Sequence, residues 1–180
     1  MLSLFTLLLL GACQKSDMNE PGELNFDEPM GSIRYKERVF QDAAATKEVV
    51  YGNSVTQGGV QQDLLMNIYE PANDAVNNRP LIILAHGGGF AEGAKEDFDQ
   101  LAEWFAKAGY VAATISYRLM DGNDPNLKIA VVDAMHDMKA AVRFFTQNNT
   151  YRIDANNIFI GGFSAGAVTA LHYANFGMNE

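Results

Sequence analysis

Two glycine-rich segments carry residues whose types and spacing could support acyl transfer. Residues 162–166 read G-F-S-A-G, follow the apolar run 158–160 and precede an apolar, helix-like segment at 165–176. A serine in such a strand–turn–helix context stands exposed as a nucleophile, and the flanking glycines fit a turn that crowds other residues. Backbone N–H groups at the start of the helix, that of Ala165 first, can stabilise a developing oxyanion. The segment therefore predicts Ser164 as a nucleophile.

The second segment strengthens this interpretation. His86, Gly87, Gly88 and Gly89 form an H-G-G-G sequence directly after the apolar run 81–85. Such a segment after an early strand supplies the other half of an oxyanion hole. One G-x-S-x-G alone is a weak signal because glycine and serine are common. The occurrence of both motifs in this order, each after a predicted strand, is a specific signal.

With these motifs the chain resembles the α/β-hydrolase superfamily, in its carboxylesterase/lipase group with an HGGG oxyanion motif. Within that group it is similar to the hormone-sensitive-lipase-like and the related acetyl- or feruloyl-esterase branch. The resemblance covers roughly residues 49–176 and includes the segment S-Y-R-L at 116–119 and Asp133. Ala167 stands where the family often has another glycine, which is a mild departure.

The resemblance implies a fold, a site and a class of substrate. The fold is α/β, a mostly parallel sheet with helices on both faces and antiparallel edge strands at its N-terminal side. Ser164 is the expected nucleophile, and the N–H groups of Gly88, Gly89 and Ala165 are the expected oxyanion hole. His86 and Gly87 are expected to support that loop. The implied substrates are small-molecule or polysaccharide-linked esters, with acetyl and feruloyl groups as examples, and no metal or cofactor is implied.

The triad partners of Ser164 are not evident. In this fold an acid and then a histidine follow the serine along the chain. Of the three histidines, His172 comes after Ser164 but lies roughly 12 Å further along the same predicted helix, out of reach. His86 belongs to the oxyanion segment, and His136 lies off the apolar stripe of its helix. We therefore expect the triad acid and base to be absent and the C-terminal strands to be missing.

That absence leaves two hypotheses open. The shortfall against a complete domain of this kind is on the order of 100 residues, which suggests a fragment or truncated gene. The first hypothesis is a serine esterase by ancestry. The alternative is a non-catalytic α/β-hydrolase-fold binding module, or the product of a decayed gene.

Composition limits the other possibilities. The chain has 180 residues and 48% hydrophobic residues, which suit one domain with a real core. Its net charge of −9 argues against nucleic acid or an anionic lipid surface as a partner held by charge. One cysteine allows no intrachain disulfide or cysteine-based zinc cluster. Neither a G-x-G-x-x-G after a strand nor a P-loop sequence is present.

The N-terminus predicts export. Residues 1–12 are almost wholly apolar and read as a signal peptide, and the sequence L-G-A-C at 10–13 resembles a bacterial lipobox. Cys13 is thus a predicted lipidation site. Residues 13–32 are polar and acidic, and we expect them to form a flexible tether. The hydrolase part is expected at 33–180. These features predict a lipid anchor in the bacterial cell envelope, on the periplasmic face or at the outer membrane.

The remaining pattern predicts the elements that position the two motifs. Strands are predicted at 33–40, 47–51, 62–70, 81–85, 110–116 and 158–163, and helices at 95–108, 129–147 and 165–176. The alternation after residue 81 predicts a parallel sheet. Arg118 is expected to form a structural ion pair with Asp133 and Asp137, with a substrate contact as the alternative. Glu92 is expected to be a solvated loop carboxylate, with a place in the wall of the acyl or alcohol pocket as the alternative. Asp154 is expected to shape the turn before the last strand.

Overall fold

The computed structural model describes residues 31–122 and 125–176. The predicted signal peptide, Cys13 and nearly all of the predicted tether lie outside these described residues. Five strands form the sheet, namely β1 (Ala43–Val55), β2 (Gln61–Pro71), β3 (Arg79–Ala85), β4 (Val111–Ile115) and β5 (Ile153–Gly162). Three α-helices accompany it, α1 (Asp99–Ala108), α2 (Leu127–Gln147) and α3 (Ala165–Phe176). Short 3₁₀ turns at Lys95–Phe98 and Asn149–Tyr151 precede α1 and β5.

The sheet has the order β1-β2-β4-β3-β5. β1 and β2 form an antiparallel hairpin, and β2 pairs antiparallel with β4. β4 and β5 both pair parallel with β3. The predicted α/β fold is thus confirmed, and two of the three parallel strands, β3 and β5, lead into the two motifs.

Helices cover both faces because strand side chains alternate between them. Leu81 and Ile83 of β3 belong to the larger core cluster with the buried face of α2. Ile82 and Leu84 point the other way, against Ala102 and Ala106 of α1. The apolar stripe predicted for α2 is buried or half-buried along its length, at Val131, Ala134, Met135, Met138, Ala141, Val142 and Phe145.

The predicted strand at 33–40 is wrong, because this segment forms turns. The Glu37 carboxylate accepts hydrogen bonds from the N–H groups of Ser32 (2.7 Å) and Ile33 (3.0 Å). Tyr35 has a φ of 69°, which a strand does not allow. A side chain that captures local N–H groups competes with strand pairing. The segment instead packs at the end of α1, where Val39 N–H donates to the Lys107 carbonyl at 2.9 Å.

The other elements agree with the sequence apart from their boundaries. The predicted helix at 95–108 is a 3₁₀ turn followed by α1, and the predicted last strand begins earlier, at Ile153. Asn126 starts α2, since its side-chain oxygen accepts the N–H of Ile129 at 3.3 Å. Asp154 shapes the start of β5 as expected, because its carboxylate accepts the N–H of Asn156 at 2.9 Å.

Candidate active site

Parallel pairing brings the two glycine-rich segments to one edge of the sheet. In the β3–β5 register Ala85 lies opposite Gly162, so both strands end at the same level. The HGGG segment begins at the residue after Ala85, and the serine turn begins at Gly162. The N–H of Phe163 still donates to the Ala85 carbonyl, at 3.4 Å. The two motifs therefore leave the sheet side by side.

The glycines that flank the serine are required by close backbone contacts. A Cβ on Gly162 would lie 2.6 Å from the carbonyl carbon of Gly166. A Cβ on Gly166 would lie 2.6 Å from the carbonyl oxygen of His86 and would also collide with the Ala85 carbonyl. Strand β3 and helix α3 thus approach each other across the turn more closely than any side chain permits. This approach seats α3 directly on the end of β3.

Ser164 sits at the apex of this turn and is exposed. Its φ is 51°, in the left-handed region that costs a non-glycine residue about 1–2 kcal/mol. The N–H of Gly166 donates to the Phe163 carbonyl at 2.9 Å, and that of Val168 to the Ser164 carbonyl at 3.0 Å. The helix thus starts immediately after the serine, and its first N–H groups lie at the base of the side chain. This geometry is that of a nucleophile elbow.

The HGGG loop also depends on left-handed glycines. Gly88 has a φ of 104° and Gly89 a φ of 62°. The Gly88 carbonyl accepts the N–H groups of Ala91 (3.0 Å) and Glu92 (3.1 Å), which closes the turn. None of the backbone hydrogen bonds of the described loops uses the N–H of Gly88 or Gly89. Both N–H groups are therefore available to an external acceptor.

The loop and the serine turn are in contact. A Cβ on Gly87 would lie 3.2 Å from the Phe163 carbonyl oxygen and 3.6 Å from the Cβ of Ser164. The HGGG loop thus passes so close to the serine turn that one added methyl group on Gly87 would fill the gap between them.

His86 is buried beneath this loop and does not face Ser164. It is 1% exposed, and its Nδ1 lies 2.7 Å from the Gly87 carbonyl oxygen. Because that partner is an acceptor, Nδ1 carries the proton in this contact. The imidazole stacks on the ring of Tyr117, with centroids 4.3 Å apart and planes 13° apart. The position suits a structural role in the loop.

The other histidines lie elsewhere. His136 is exposed on α2, and His172 lies on α3 with its ring 5.6 Å from that of Phe176. Within residues 31–122 and 125–176, which include every histidine of the chain, none forms a hydrogen bond to Ser164. The described residues thus bring the predicted nucleophile, Ser164, and the predicted oxyanion loop together but give the serine no histidine as a hydrogen-bond partner.

A depression of about 570 Å³ adjoins the site. It lies between the HGGG loop and Phe163, whose side chain is 71% exposed. Glu92, Asp97 and Phe98 complete its wall, and both carboxylates belong to exposed residues, as expected for Glu92. A leaving group or acyl chain bound here would meet two aromatic rings and two negative charges.

The predicted ion pair of Arg118 is confirmed and lies behind the site. The Arg118 guanidinium contacts the Asp137 carboxylate at 2.7 Å and the Asp133 carboxylate at 3.1 Å. The backbone N–H of Arg118 also donates to the Asp137 carboxylate, at 2.8 Å. Burial alone would lower the pKa of Arg118, but the hydrogen bonds and charge of Asp137 outweigh it and the pKa is raised. The pair ties α2 to the chain just after β4. It borders a separate depression of about 560 Å³ between β1 and α2.

Tyr117 and Gly93 are the residues of this site that sequence reasoning missed. Tyr117 was noted only as part of the segment 116–119, yet its hydroxyl donates to the His86 carbonyl at 2.8 Å. Gly93 has a φ of 100°, and a Cβ there would collide with Nδ1 of the His86 ring and lie 3.0 Å from its Cε1. The one signal that could have pointed to Tyr117 is its position two residues beyond a buried strand that ends at the same edge as β3.

Among residues 31–122 and 125–176, no cluster of histidine, cysteine or carboxylate side chains could hold a metal ion. None of the helices described is both long and apolar enough to cross a membrane.

Esterases are among the known proteins that are similar to this chain in sequence or structure. A solved thermophilic esterase from the planctomycete Thermogutta terrifontis, Est2 with butyrate bound, is 31% identical with a TM-score of 0.57, over 78% of this chain and 47% of that one. Esterase 2 of that organism phosphorylated by paraoxon is 30% identical with the same TM-score, over 78% of this chain and 50% of that one. Esterase-5A of Drosophila persimilis is 27% identical over 82% of this chain and 28% of its own length.

The chain therefore spans about half the length of the similar solved esterases, and less than a third of Esterase-5A. The family profile BD-FAE matches residues 66–179, which include β3, the HGGG loop, β5 and the serine turn. Since the match extends over more than half of the sequence and its strands and helices follow the esterase fold, the chain belongs to the BD-FAE family of α/β-hydrolase esterases.

Proposed function

We propose that the protein is a serine carboxylic-ester hydrolase in which Ser164 is the nucleophile. The observation that carries the proposal is the close approach of the strained serine turn to the glycine loop, where a Cβ added to Gly87 would lie 3.6 Å from the Ser164 Cβ. A nucleophile held out of its preferred backbone conformation, beside glycine N–H groups that form no backbone hydrogen bond within the described residues, is arranged for attack on a carbonyl. The esterase family of the chain supports the same reaction class.

In the proposed reaction, Oγ of Ser164 attacks the ester carbonyl and forms a tetrahedral intermediate. The N–H groups of Gly88, Gly89 and Ala165 stabilise its oxyanion. Collapse of the intermediate expels the alcohol, which takes up the proton that Ser164 loses, and leaves an acyl-enzyme. Water then hydrolyses the acyl-enzyme to the carboxylic acid and restores the Ser164 hydroxyl. Each preorganised oxyanion donor contributes about 3–4 kcal/mol to transition-state stabilisation in comparable enzymes. The proposal assigns no cofactor.

The proposal assigns no proton acceptor to this chain. None of the three histidines lies beside Ser164 in the described parts, and loss of a triad base lowers turnover by about 10⁶ in a serine protease. This observation favours the second candidate, a non-catalytic binding module with an intact esterase fold. The two candidates differ in whether an acid and a base complete the site in the native protein.

The proposed substrates are uncharged esters with a short acyl group, free or attached to a polysaccharide. The butyrate bound to the similar thermophilic esterase supports a short acyl group. The depression beside the loop carries Glu92 and Asp97, which disfavour an anionic substrate. We also propose, from the sequence at residues 10–13, that Cys13 is lipidated and anchors the protein in a bacterial cell envelope.

The first experiment is labelling with a fluorophosphonate, an organophosphorus reagent of the kind that modifies the similar esterase. The native gene product, isolated from its source, is treated with the reagent and digested, and the labelled peptide is identified by mass spectrometry. The active-enzyme proposal expects the label on Ser164 and no labelling of Ser164→Ala. Ser116→Ala, a serine nearby that is not on the elbow, is the control and retains labelling. If the native protein folds but Ser164 takes no label, the active-enzyme proposal fails and the binding module is the candidate that remains.

A second experiment tests the anchor. Cells fed an alkyne fatty acid are expected to give a labelled protein in the membrane fraction, and Cys13→Ser is expected to lose both the label and the location. Retention of the label in Cys13→Ser would rule out Cys13 as the anchor site.

A further inference from the structure

Tyr117 is buried at the centre of the edge that carries the site. It lies two residues after β4, the strand that pairs parallel with β3, and is 1% exposed. The chain direction carries its side chain under the loop that leaves β3. Tyr117 belongs to the segment S-Y-R-L at 116–119, but the segment's sequence alone gives no reason for burying a phenol at this place.

Three contacts join Tyr117 to the HGGG loop. Its hydroxyl donates to the His86 carbonyl at 2.8 Å. Its ring stacks on the His86 imidazole at 4.3 Å. Phe90, which follows the glycines, packs edge-on against the same ring at 6.1 Å. Tyr117 therefore holds the loop on both sides of Gly87, Gly88 and Gly89.

The remaining surroundings of His86 leave it no freedom to move away. Its Nδ1–H donates to the Gly87 carbonyl at 2.7 Å, and Gly93 lies so close that a Cβ there would collide with Nδ1 and lie 3.0 Å from Cε1 of the ring. Burial raises the pKa of Tyr117 to about 12, so its hydroxyl stays protonated as a donor. The histidine is thus fixed between the phenol and the returning loop.

The glycines need such support. Glycine has more conformational freedom than other residues, and N–H groups stabilise an oxyanion only when they are held in place beforehand. The N–H groups of Gly88 and Gly89 form no backbone hydrogen bonds in the described loops that could hold them. Their orientation depends on the residues at either end, His86 and Phe90, and both of these contact Tyr117.

We infer that Tyr117 is a positioning residue that fixes the oxyanion loop through His86 and Phe90. Its catalytic consequence rests on the function proposed above, whereas its effect on the loop does not.

Hydrogen exchange measured by mass spectrometry tests the effect on the loop without reference to activity. Tyr117→Phe keeps the ring and removes one hydrogen bond, and peptides that contain residues 86–93 are expected to exchange about fivefold faster, as one lost hydrogen bond of about 1 kcal/mol predicts. Tyr51→Phe is the matched control, since the Tyr51 hydroxyl is also buried and donates to a carbonyl, that of Ser116, at 2.7 Å. The Tyr51→Phe variant is expected to leave hydrogen exchange in residues 86–93 unchanged.

A second variant covers the case in which Tyr117→Phe does not fold. Phe90→Leu leaves Tyr117 in place but removes the edge contact, and a smaller increase in the same peptides is expected. Equal exchange of residues 86–93 in wild type and in a folded Tyr117→Phe would overturn the inference. So would an equal increase in Tyr51→Phe.

Kinetics then separate positioning from general destabilisation. If the native protein hydrolyses a neutral short-chain ester, Tyr117→Phe is expected to lower kcat about fivefold with KM unchanged, because only the transition state uses the loop N–H groups. Tyr51→Phe is expected to keep both constants. A native protein without esterase activity would contradict the proposed function and leave the exchange result standing. A raised KM with an unchanged kcat would contradict the positioning role.

Discussion

Ser164 illustrates at the residue scale how a reactive side chain opposes stability. Its φ of 51° is unfavourable for any residue with a Cβ. We expect Ser164→Gly to raise the free energy of unfolding by about 1 kcal/mol, because glycine adopts this φ without that steric cost. Urea denaturation followed by circular dichroism measures the change.

Ser164→Ala is the control for this prediction. It removes the same hydroxyl but keeps the Cβ, so its stability is expected to match that of wild type. If glycine and alanine had equal effects, backbone strain at residue 164 would be excluded.

The sequence identified some residues of the site and not others for a physical reason. Ser164 and the glycines 87–89 lie in local motifs whose spacing reflects the turns they form. Tyr117 and Gly93 act through contacts with His86, which lies 31 residues from Tyr117 along the chain. Such contacts depend on which strands are neighbours, and spacing alone does not give that.

At the element scale, the contact between α3 and the end of β3 gives a prediction with two opposing effects. Gly166→Ala improves helix propensity by about 1 kcal/mol, yet its Cβ would collide with the Ala85 and His86 carbonyls. These neighbours are backbone atoms and cannot rotate away, so we expect net destabilisation of about 1–3 kcal/mol by thermal or urea unfolding.

Gly161→Ala is the matched change in the adjoining strand. A Cβ there meets only a Leu84 methyl, at 3.7 Å, which is ordinary contact. Its stability is expected to remain within about 0.5 kcal/mol of wild type. Similar losses in both variants would contradict the close approach of α3 and β3.

The ion pair of Arg118 with Asp137 and Asp133 gives a second prediction at the element scale. Asp137→Asn leaves the Arg118 guanidinium buried without its main partner, and we expect a loss of about 3–5 kcal/mol. Asp133→Asn removes the longer contact of 3.1 Å, from a less buried carboxylate, and is expected to cost less. Urea unfolding of both variants measures the order, and a larger loss for Asp133→Asn would reverse the ranking.

The sequence predicted helices and strands correctly where an apolar pattern repeats over many residues. The prediction failed where the hydrogen bonds of one polar side chain determine the backbone conformation. Helix α2 could be identified because seven apolar positions share one face. The segment 33–40 has strand-like composition, but Glu37 captures two nearby N–H groups and turns the chain. Which hydrogen bonds a single carboxylate accepts is not visible in a hydrophobic pattern.

At the scale of the whole molecule, the carboxylates predict how stability depends on pH. Burial would raise the pKa of Asp74, but hydrogen bonds from Arg34 and the Val76 N–H outweigh it, and the pKa is lowered. The pKa of Asp99 is lowered too, because hydrogen bonds from Asn67 and Lys47 outweigh the effect of burial. A carboxyl with a lowered folded-state pKa stabilises the fold above its unfolded pKa, and that contribution is lost as pH falls through the folded pKa.

We therefore expect the urea midpoint to fall as the pH drops below about 4, and Asp74→Asn to show a weaker decline. The pKa of Asp133 is raised, mainly by burial, so its effect has the opposite sign and reduces the slope. A midpoint that stays constant from pH 6 to pH 3 would contradict these shifts.

The chain order of the site has a consequence for its biosynthesis. The HGGG loop and the residues that hold it, His86, Phe90 and Tyr117, all precede β5 in the sequence. Synthesis proceeds from the N-terminus at about 5–20 residues per second, so the ribosome delivers these residues seconds before Ser164. The proposed nucleophile then docks through Gly162 and Gly166, which closely approach the upstream backbone at Ala85 and His86. A nascent chain released before β5 would carry the oxyanion loop without the serine it serves.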